Sequence, residues 1–165
     1  MRVLLSLGSN VGDREAYLCQ ALDALARTAG ITVVSVSSGY ETKPMGLTEQ
    51  PDFLNLAAEI ETEFAPLELL NAVKEIEEGL GRATSERWGP RVIDIDVILY
   101  GGLAMTTDRL TLPHPEFRNR NFVLGPLAEI APEAVDPVTG KTVAELAEGP
   151  QAQGRIERIG PVVTP

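Results

Sequence analysis

The chain has 165 residues, a formal net charge of −10 and a hydrophobic fraction of 44%, enough apolar material for a single domain over 1–165 with a real core. Its acidity excludes general affinity for nucleic acid, whose phosphates require a basic surface, and no apolar run reaches the roughly 18 residues of a membrane span. The N-terminus meets Gly8 too soon to hold a signal peptide's apolar region, and a lone cysteine, Cys19, fits a reducing compartment, so a cytoplasmic protein is expected.

Val3–Leu7 reads as a buried first strand that stops at Gly8-Ser9-Asn10. Asp13 is placed to cap a helix running to Gly30, with Leu18, Leu22, Leu25 and Ala29 on one face. Cys19 lies beside that stripe as a packed thiol. Residues 31–41, rich in Val, Thr and Ser, form a second strand, followed by a loop punctuated by Pro44, Gly46 and Pro51. From 53 to 63 the pattern alternates: Leu54, Leu56, Ala58 and Ile60 take one face, Phe53, Asn55, Glu59 and Glu61 the other. Pro66 starts a second helix with Leu69, Leu70, Val73, Ile76 and Leu80 on its apolar stripe; Glu77 reads as part of the solvated face. A loop over 81–91 then leads into a strand in which Ile93, Ile95, Val97 and Leu99 face the core. The order β-α-β-β-α-β predicts a ferredoxin-like α+β fold, an antiparallel sheet with two helices packed on one face. Residues 103–165 add short elements, without an internal repeat, linker or second core, and about 150–165 read as a loosely held tail.

Asp94-Ile95-Asp96 carries the strongest chemical signal. Residues two apart in a strand share a face, so both carboxylates project together, about 7 Å apart at Cα. Adjacent like charges repel, which a divalent cation between them would reverse. Mg²⁺ suits one or two carboxylates completed by phosphate oxygens and water, and two such ions about 4 Å apart clamp both attacking and leaving oxygens. A solvated strand face is the plain alternative. Six of the eleven arginines (Arg82, Arg87, Arg91, Arg109, Arg118 and Arg120) fall between 82 and 120, a basic island in an acidic chain that points to a small polyanion. Arginines on a Gly/Pro loop beside paired carboxylates are the parts of phosphoryl transfer, and the absence of G-x-x-x-x-G-K-[ST] excludes a P-loop.

The run Arg87-Trp88-Gly89-Pro90-Arg91-Val92-Ile93-Asp94-Ile95-Asp96-Val97-Ile98 closely resembles the signature of 6-hydroxymethyl-7,8-dihydropterin pyrophosphokinases. Leu7-Gly8-Ser9-Asn10, Gln50–Asn55, and Leu112-Pro113-His114 followed by Asn119-Arg120-Asn121-Phe122 extend the resemblance from residue 3 to residue 136. It implies transfer of diphosphate from ATP to the pterin's hydroxymethyl group, with attack on the β-phosphorus and AMP leaving. It also implies that Asp94 and Asp96 hold two Mg²⁺ ions, and that Arg82 and Arg91 bind the triphosphate and support the transition state. Glu77, Arg109, Thr111, His114 and Arg120 match further ATP-site positions. His114, the single histidine, would act there as a donor; a structural hydrogen-bonder is the commoner role. Thr42, Pro44, Met45, Phe53, Asn55, Trp88, Asp94 and Phe122 match the pterin site. Phe53 and Asn55 on one strand face do suit a flat heterocycle, by stacking and by edge recognition. Thr84 and Phe53 depart from the family pattern, which often has a basic residue and a tyrosine there.

The resemblance implies ATP and a pterin alcohol as small-molecule partners; the acidic charge and the lack of a membrane-length apolar run point to no nucleic acid and no membrane, and a monomer is the default expectation. Two alternatives remain open on residues alone: another two-metal nucleotidyltransferase on a ferredoxin-like core, and a non-catalytic ligand-binding module of the same fold.

Overall fold

The computed structural model describes residues 1–42, 52–81 and 92–162. At its centre β1 (Arg2–Ser9) lies between β4 (Phe53–Thr62) and β5 (Asp94–Tyr100), antiparallel to both, with Leu7 opposite Leu56 on one side and Ile95 on the other. The expected second strand is two: β2 (Ile31–Val36) and β3 (Gly39–Thr42), each antiparallel to β4. The break falls at Ser37, whose hydroxyl accepts the Ala57 N–H at 2.8 Å in place of a backbone carbonyl. A serine side chain competes with the ladder in this way. With α1 (Arg14–Arg27) and α2 (Pro66–Gly81) between strands, the sheet order β5-β1-β4 followed by β2/β3 is the ferredoxin-like arrangement.

Helix α1 starts where Asp13 accepts the Ala16 N–H and ends before Gly30, whose φ of 95° favours glycine. Its Leu18, Leu22 and Leu25 join Leu69 and Val73 of α2 against Leu5, Leu7, Leu54, Leu56 and Ile95 in one apolar cluster. Burying each leucine contributes about 2 kcal/mol.

A second apolar layer covers the reverse face, where no second core was expected. Here α3 (Asn121–Ile130) and α4 (Val143–Glu148) set Val123, Leu124, Leu127 and Val143 against Leu4, Ala57, Ile98 and Leu99. Leu99 was expected on the α1/α2 face. Between Leu4 and Leu5 the pairing shifts from Leu99 to Val97, so Ile98 is an extra residue, and such a bulge turns the following side chain over. A small hairpin, β6 (Met105–Thr106) with β7 (Thr111–Leu112), and a 3-10 turn at Phe117–Asn119 complete the path to α3. The stretch expected to be a loosely held tail carries β8 (Ile156–Gly160), which pairs antiparallel with β3.

Candidate active site

The cleft begins where α3 leaves the reverse face of the sheet uncovered. Along β1 that face changes from Leu4, packed under α3, to Ser6 and Gly8, which line a cleft of 360 Å³. Asp96 stands opposite Ser6 and Asp94 opposite Gly8 across the β1–β5 pair. Small residues thus face both carboxylates and leave the floor open. Ser9 at the end of β1 fixes the entry to β5, its hydroxyl donating to the Val92 carbonyl at 2.6 Å.

Beside the floor, β4 presents Phe53 and Asn55. A Cβ on Gly8 would stand 2.3 Å from Asn55 Oδ1, so only glycine lets this amide lie across β1. Asn55 Nδ2 donates to Thr42 Oγ1 at 2.7 Å, both residues being buried. That bond fixes the amide's orientation and leaves Oδ1 and one N–H for a ligand. The ends of β3 and β4 are held from outside by Arg14, which donates to Glu41 at 2.6 Å and to the Asp52 carbonyl at 2.9 Å. From the α3 side come Glu116, Asn119, Arg120 and Phe122, with the Arg120 guanidinium 5.5 Å from the centre of the Phe122 ring.

Thr42, Phe53, Asn55, Asp94, Asp96, Arg120 and Phe122 therefore line one cleft. His114 lies beside it. Burial holds its imidazole below the usual range, against the Asp96 charge, which pulls it up; Arg120 lowers it further and Glu116 opposes. Its Nδ1 accepts the Glu116 N–H at 3.1 Å, so the neutral ring carries its proton on Nε2. Glu77, read as solvated, is buried, and its Oε2 accepts the Ile95 N–H at 2.8 Å between the two aspartates. Thr111 sits on β7, and Arg109 is exposed, donating to Asn71 Oδ1 at 2.5 Å; neither lines the cleft. Arg118, one of the basic island, is bound to Asp136 instead. Among the described residues no group of three or more His, Cys, Asp or Glu could hold a metal. A cation at Asp94 and Asp96 would need ligand oxygens to complete its shell, as Mg²⁺ on a phosphate chain does.

The model of the 7,8-dihydro-6-hydroxymethylpterin-pyrophosphokinase (HPPK) family matches residues 4–132. The chain belongs to that family. It is 50% identical over 158 residues to the 2-amino-4-hydroxy-6-hydroxymethyldihydropteridine pyrophosphokinase of Methylorubrum extorquens, covering 96% of this chain and 98% of that one. To the Bacillus subtilis protein of the same name it is 47% identical over 135 residues, covering 82% and 81%. The wild-type Plasmodium falciparum HPPK-DHPS structure has the same fold, with a TM-score of 0.71 at 15% identity over 88% of this chain; the chain spans 44% of that longer one.

As a family member the chain is an ATP-dependent pyrophosphokinase. Of the residues the resemblance assigned, Pro44, Met45, Arg82, Trp88 and Arg91 lie outside the described residues. Ser6, Gly8, Glu116 and Asn119 line the pyrophosphokinase cleft without having been singled out for it. For Ser6 and Gly8 a signal was present: they alternate along β1 with core leucines, as the small residues of a strand face that must stay open. Glu77 also carried one, since it follows Val73 by four on the apolar stripe of α2.

Proposed function

We propose that this pyrophosphokinase transfers diphosphate from Mg-ATP to the hydroxymethyl group of 6-hydroxymethyl-7,8-dihydropterin, giving the pterin diphosphate and AMP in folate synthesis. The observation that carries this reading is the Asp94/Asp96 pair on the floor of a cleft that also holds Phe53, Asn55, Arg120 and Phe122. Asp94 and Asp96 would hold two Mg²⁺ ions, which would neutralise the phosphate chain and polarise the reacting phosphorus. Asn55, oriented by Thr42, reads the hydrogen-bonding edge of the pterin, whose faces are covered by Phe53 and Phe122. The family resemblance assigns Trp88, Pro44 and Met45 to the pterin as well.

The hydroxymethyl oxygen then attacks the β-phosphorus and loses its proton, for which Asp94 is the nearest candidate acceptor. The bond from the β-phosphorus to the bridging oxygen breaks, and AMP departs with that oxygen. Arg120, and His114 through its Nε2 proton, donate to the phosphates as charge shifts between them, a role the family resemblance also assigns to Arg82 and Arg91. Glu77, by taking the Ile95 N–H, keeps β5 straight between the two aspartates. Arg109 and Thr111 serve the nucleotide from the β6–β7 hairpin. A monomer in the cytoplasm suits these small-molecule substrates; among the described residues no helix is long and apolar enough to cross a membrane.

Incubation with Mg-ATP and the pterin alcohol is expected to yield AMP and pterin diphosphate in equal amounts. Release of free diphosphate, with the nucleotide moiety retained on the acceptor, would reject this reading in favour of a nucleotidyltransferase. Gly8→Ala supplies a check on the pterin side. Its new Cβ would force the Asn55 amide away and break the bond to Thr42. The pterin KM should rise about tenfold, the cost of one well-made hydrogen bond, with the ATP KM near wild type. An unchanged pterin KM would remove Asn55 from the site.

A further inference from the structure

We infer that the C-terminal segment 151–160 is a positioning strap that fastens the two walls of the cleft to each other and so sets the width of the pterin site. The inference rests on the substrate reading above, but its structural part does not. The segment lies beyond residues 4–132, which the family model matches, and it binds the cleft on both sides.

On the α3 side, the Asn119 carbonyl accepts the Gln153 N–H at 3.0 Å, and the Asn121 N–H donates to the Gln153 carbonyl at 2.9 Å. Two side-chain bonds reinforce this pairing: Gln151 Nε2 donates to Asn119 Oδ1 at 2.7 Å, and Asn121 Nδ2 donates to the Gly154 carbonyl at 2.9 Å. All four bracket Arg120, and Phe122 follows directly. The chain then turns at Gly154, whose φ of 109° favours glycine.

Two residues later the same segment reaches the other wall. Ile156 pairs with Thr42 and Glu157 with Glu41 as β8 joins β3. Thr42 is the residue that orients Asn55. Ile156 also locks the strap to α3, because a Cβ on Gly125 would stand 2.3 Å from its Cδ1; the glycine forms a notch that the isoleucine fills. At its far end α3 is already tied to β3, through Tyr40 Oη donating to Glu129 at 2.7 Å. Arg158 of β8 adds a bond to Ser38 Oγ at 3.0 Å there. The helix is thus pinned at both ends. At the Phe122 end, the strap joins α3 to β3, the strand that carries Thr42.

Ile156→Asp in the full chain tests the strap, with Ile156→Val as the conservative variant. Three quantities are read: pterin and ATP steady-state constants, thermal midpoint, and amide hydrogen exchange. The aspartate should raise the pterin KM about tenfold with kcat within about twofold, and Ile156→Val should restore wild-type behaviour. Exchange should rise together at 39–42 and 119–124, since one segment protects both. An unchanged pterin KM overturns the inference, as does exchange rising at only one wall, or a loss of turnover that merely follows the thermal midpoint. If the aspartate variant is unfolded at the assay temperature, Asn121→Ala carries the same test. It removes only the bond to the Gly154 carbonyl, with an expected rise of about threefold. A wild-type protein that does not use the pterin would overturn the substrate reading, while the coupled exchange would still decide the strap.

Discussion

Asp96→Ala is expected to lower kcat by at least about 10³-fold, with the circular dichroism spectrum and thermal midpoint at or slightly above wild-type values. The two halves of this result have one cause. Asp96 faces the cleft beside Asp94, on the strand face turned away from the α1/α2 cluster, so its loss opens no cavity in the core. Removing one of two neighbouring negative charges relieves their mutual repulsion. A structural carboxylate would behave in the opposite way, with stability falling and residual turnover tracking the folded fraction. Magnesium titration separates the cases further. Wild-type turnover should saturate with metal, while the variant stays inactive throughout. Retention of more than about a tenth of wild-type kcat at saturating magnesium would remove Asp96 from the machinery.

The largest effect on stability is expected at Asp136, which does not line the cleft. Its side chain is fully buried and accepts from Arg118 Nη2 at 3.0 Å, Thr139 Oγ1 at 2.8 Å and the Val138 N–H at 3.0 Å, with Arg118 Nε completing a bidentate pair. Asp136→Ala would leave the Arg118 guanidinium, itself only 15% exposed, without its partner. Breaking a buried pair on one side costs about 3–5 kcal/mol, so the thermal midpoint should drop by roughly 10 °C. A drop under about 3 °C would show that water replaces the carboxylate.

The acid limb gives an independent reading. Burial pushes the Asp136 carboxyl up, but the Arg118 hydrogen bonds, Thr139, the Val138 N–H and the Arg118 charge outweigh it and hold it below the usual range. A carboxyl lowered in the folded state contributes its full stability above its unfolded value of about 3.9 and loses it as pH falls through the lower folded value. The gap between wild type and Asp136→Asn in urea midpoint should therefore be widest near neutrality and close in acid.

Much of the scaffold is legible in the sequence. The alternation through 53–63 and the apolar stripes of the two helices each follow a single period, 2 or 3.6, and those periods survive folding because one face of each element is buried. What escaped the reading depends on partners distant in sequence. Ser37 interrupts a strand only because its hydroxyl meets the Ala57 N–H. Ile98 is supernumerary only in register with β1. Ile156–Gly160 becomes a strand because β3 offers it an edge, and Gly125 gives Ile156 a notch. Of the cleft, the acidic pair and the Phe53/Asn55 face were legible from strand geometry alone. Arg120 and Phe122 rested on the family motif, since nothing local says which way the start of α3 will face. The placing of Glu77 was missed although its spacing from Val73 gave it, because a carboxylate on an apolar stripe is normally read as an exception.

Because β5 is, among the described residues, the last strand on its side of the sheet, its outer amide groups are where a second polypeptide would pair. Glu77, itself paired with Lys74 at 3.2 Å, closes the rung at Ile95, and the His114 N–H donates to the Ile98 carbonyl at 2.9 Å. These contacts occupy outer groups of the strand that bears both aspartates, and covering an edge in this way is one means by which a sheet avoids pairing with another chain.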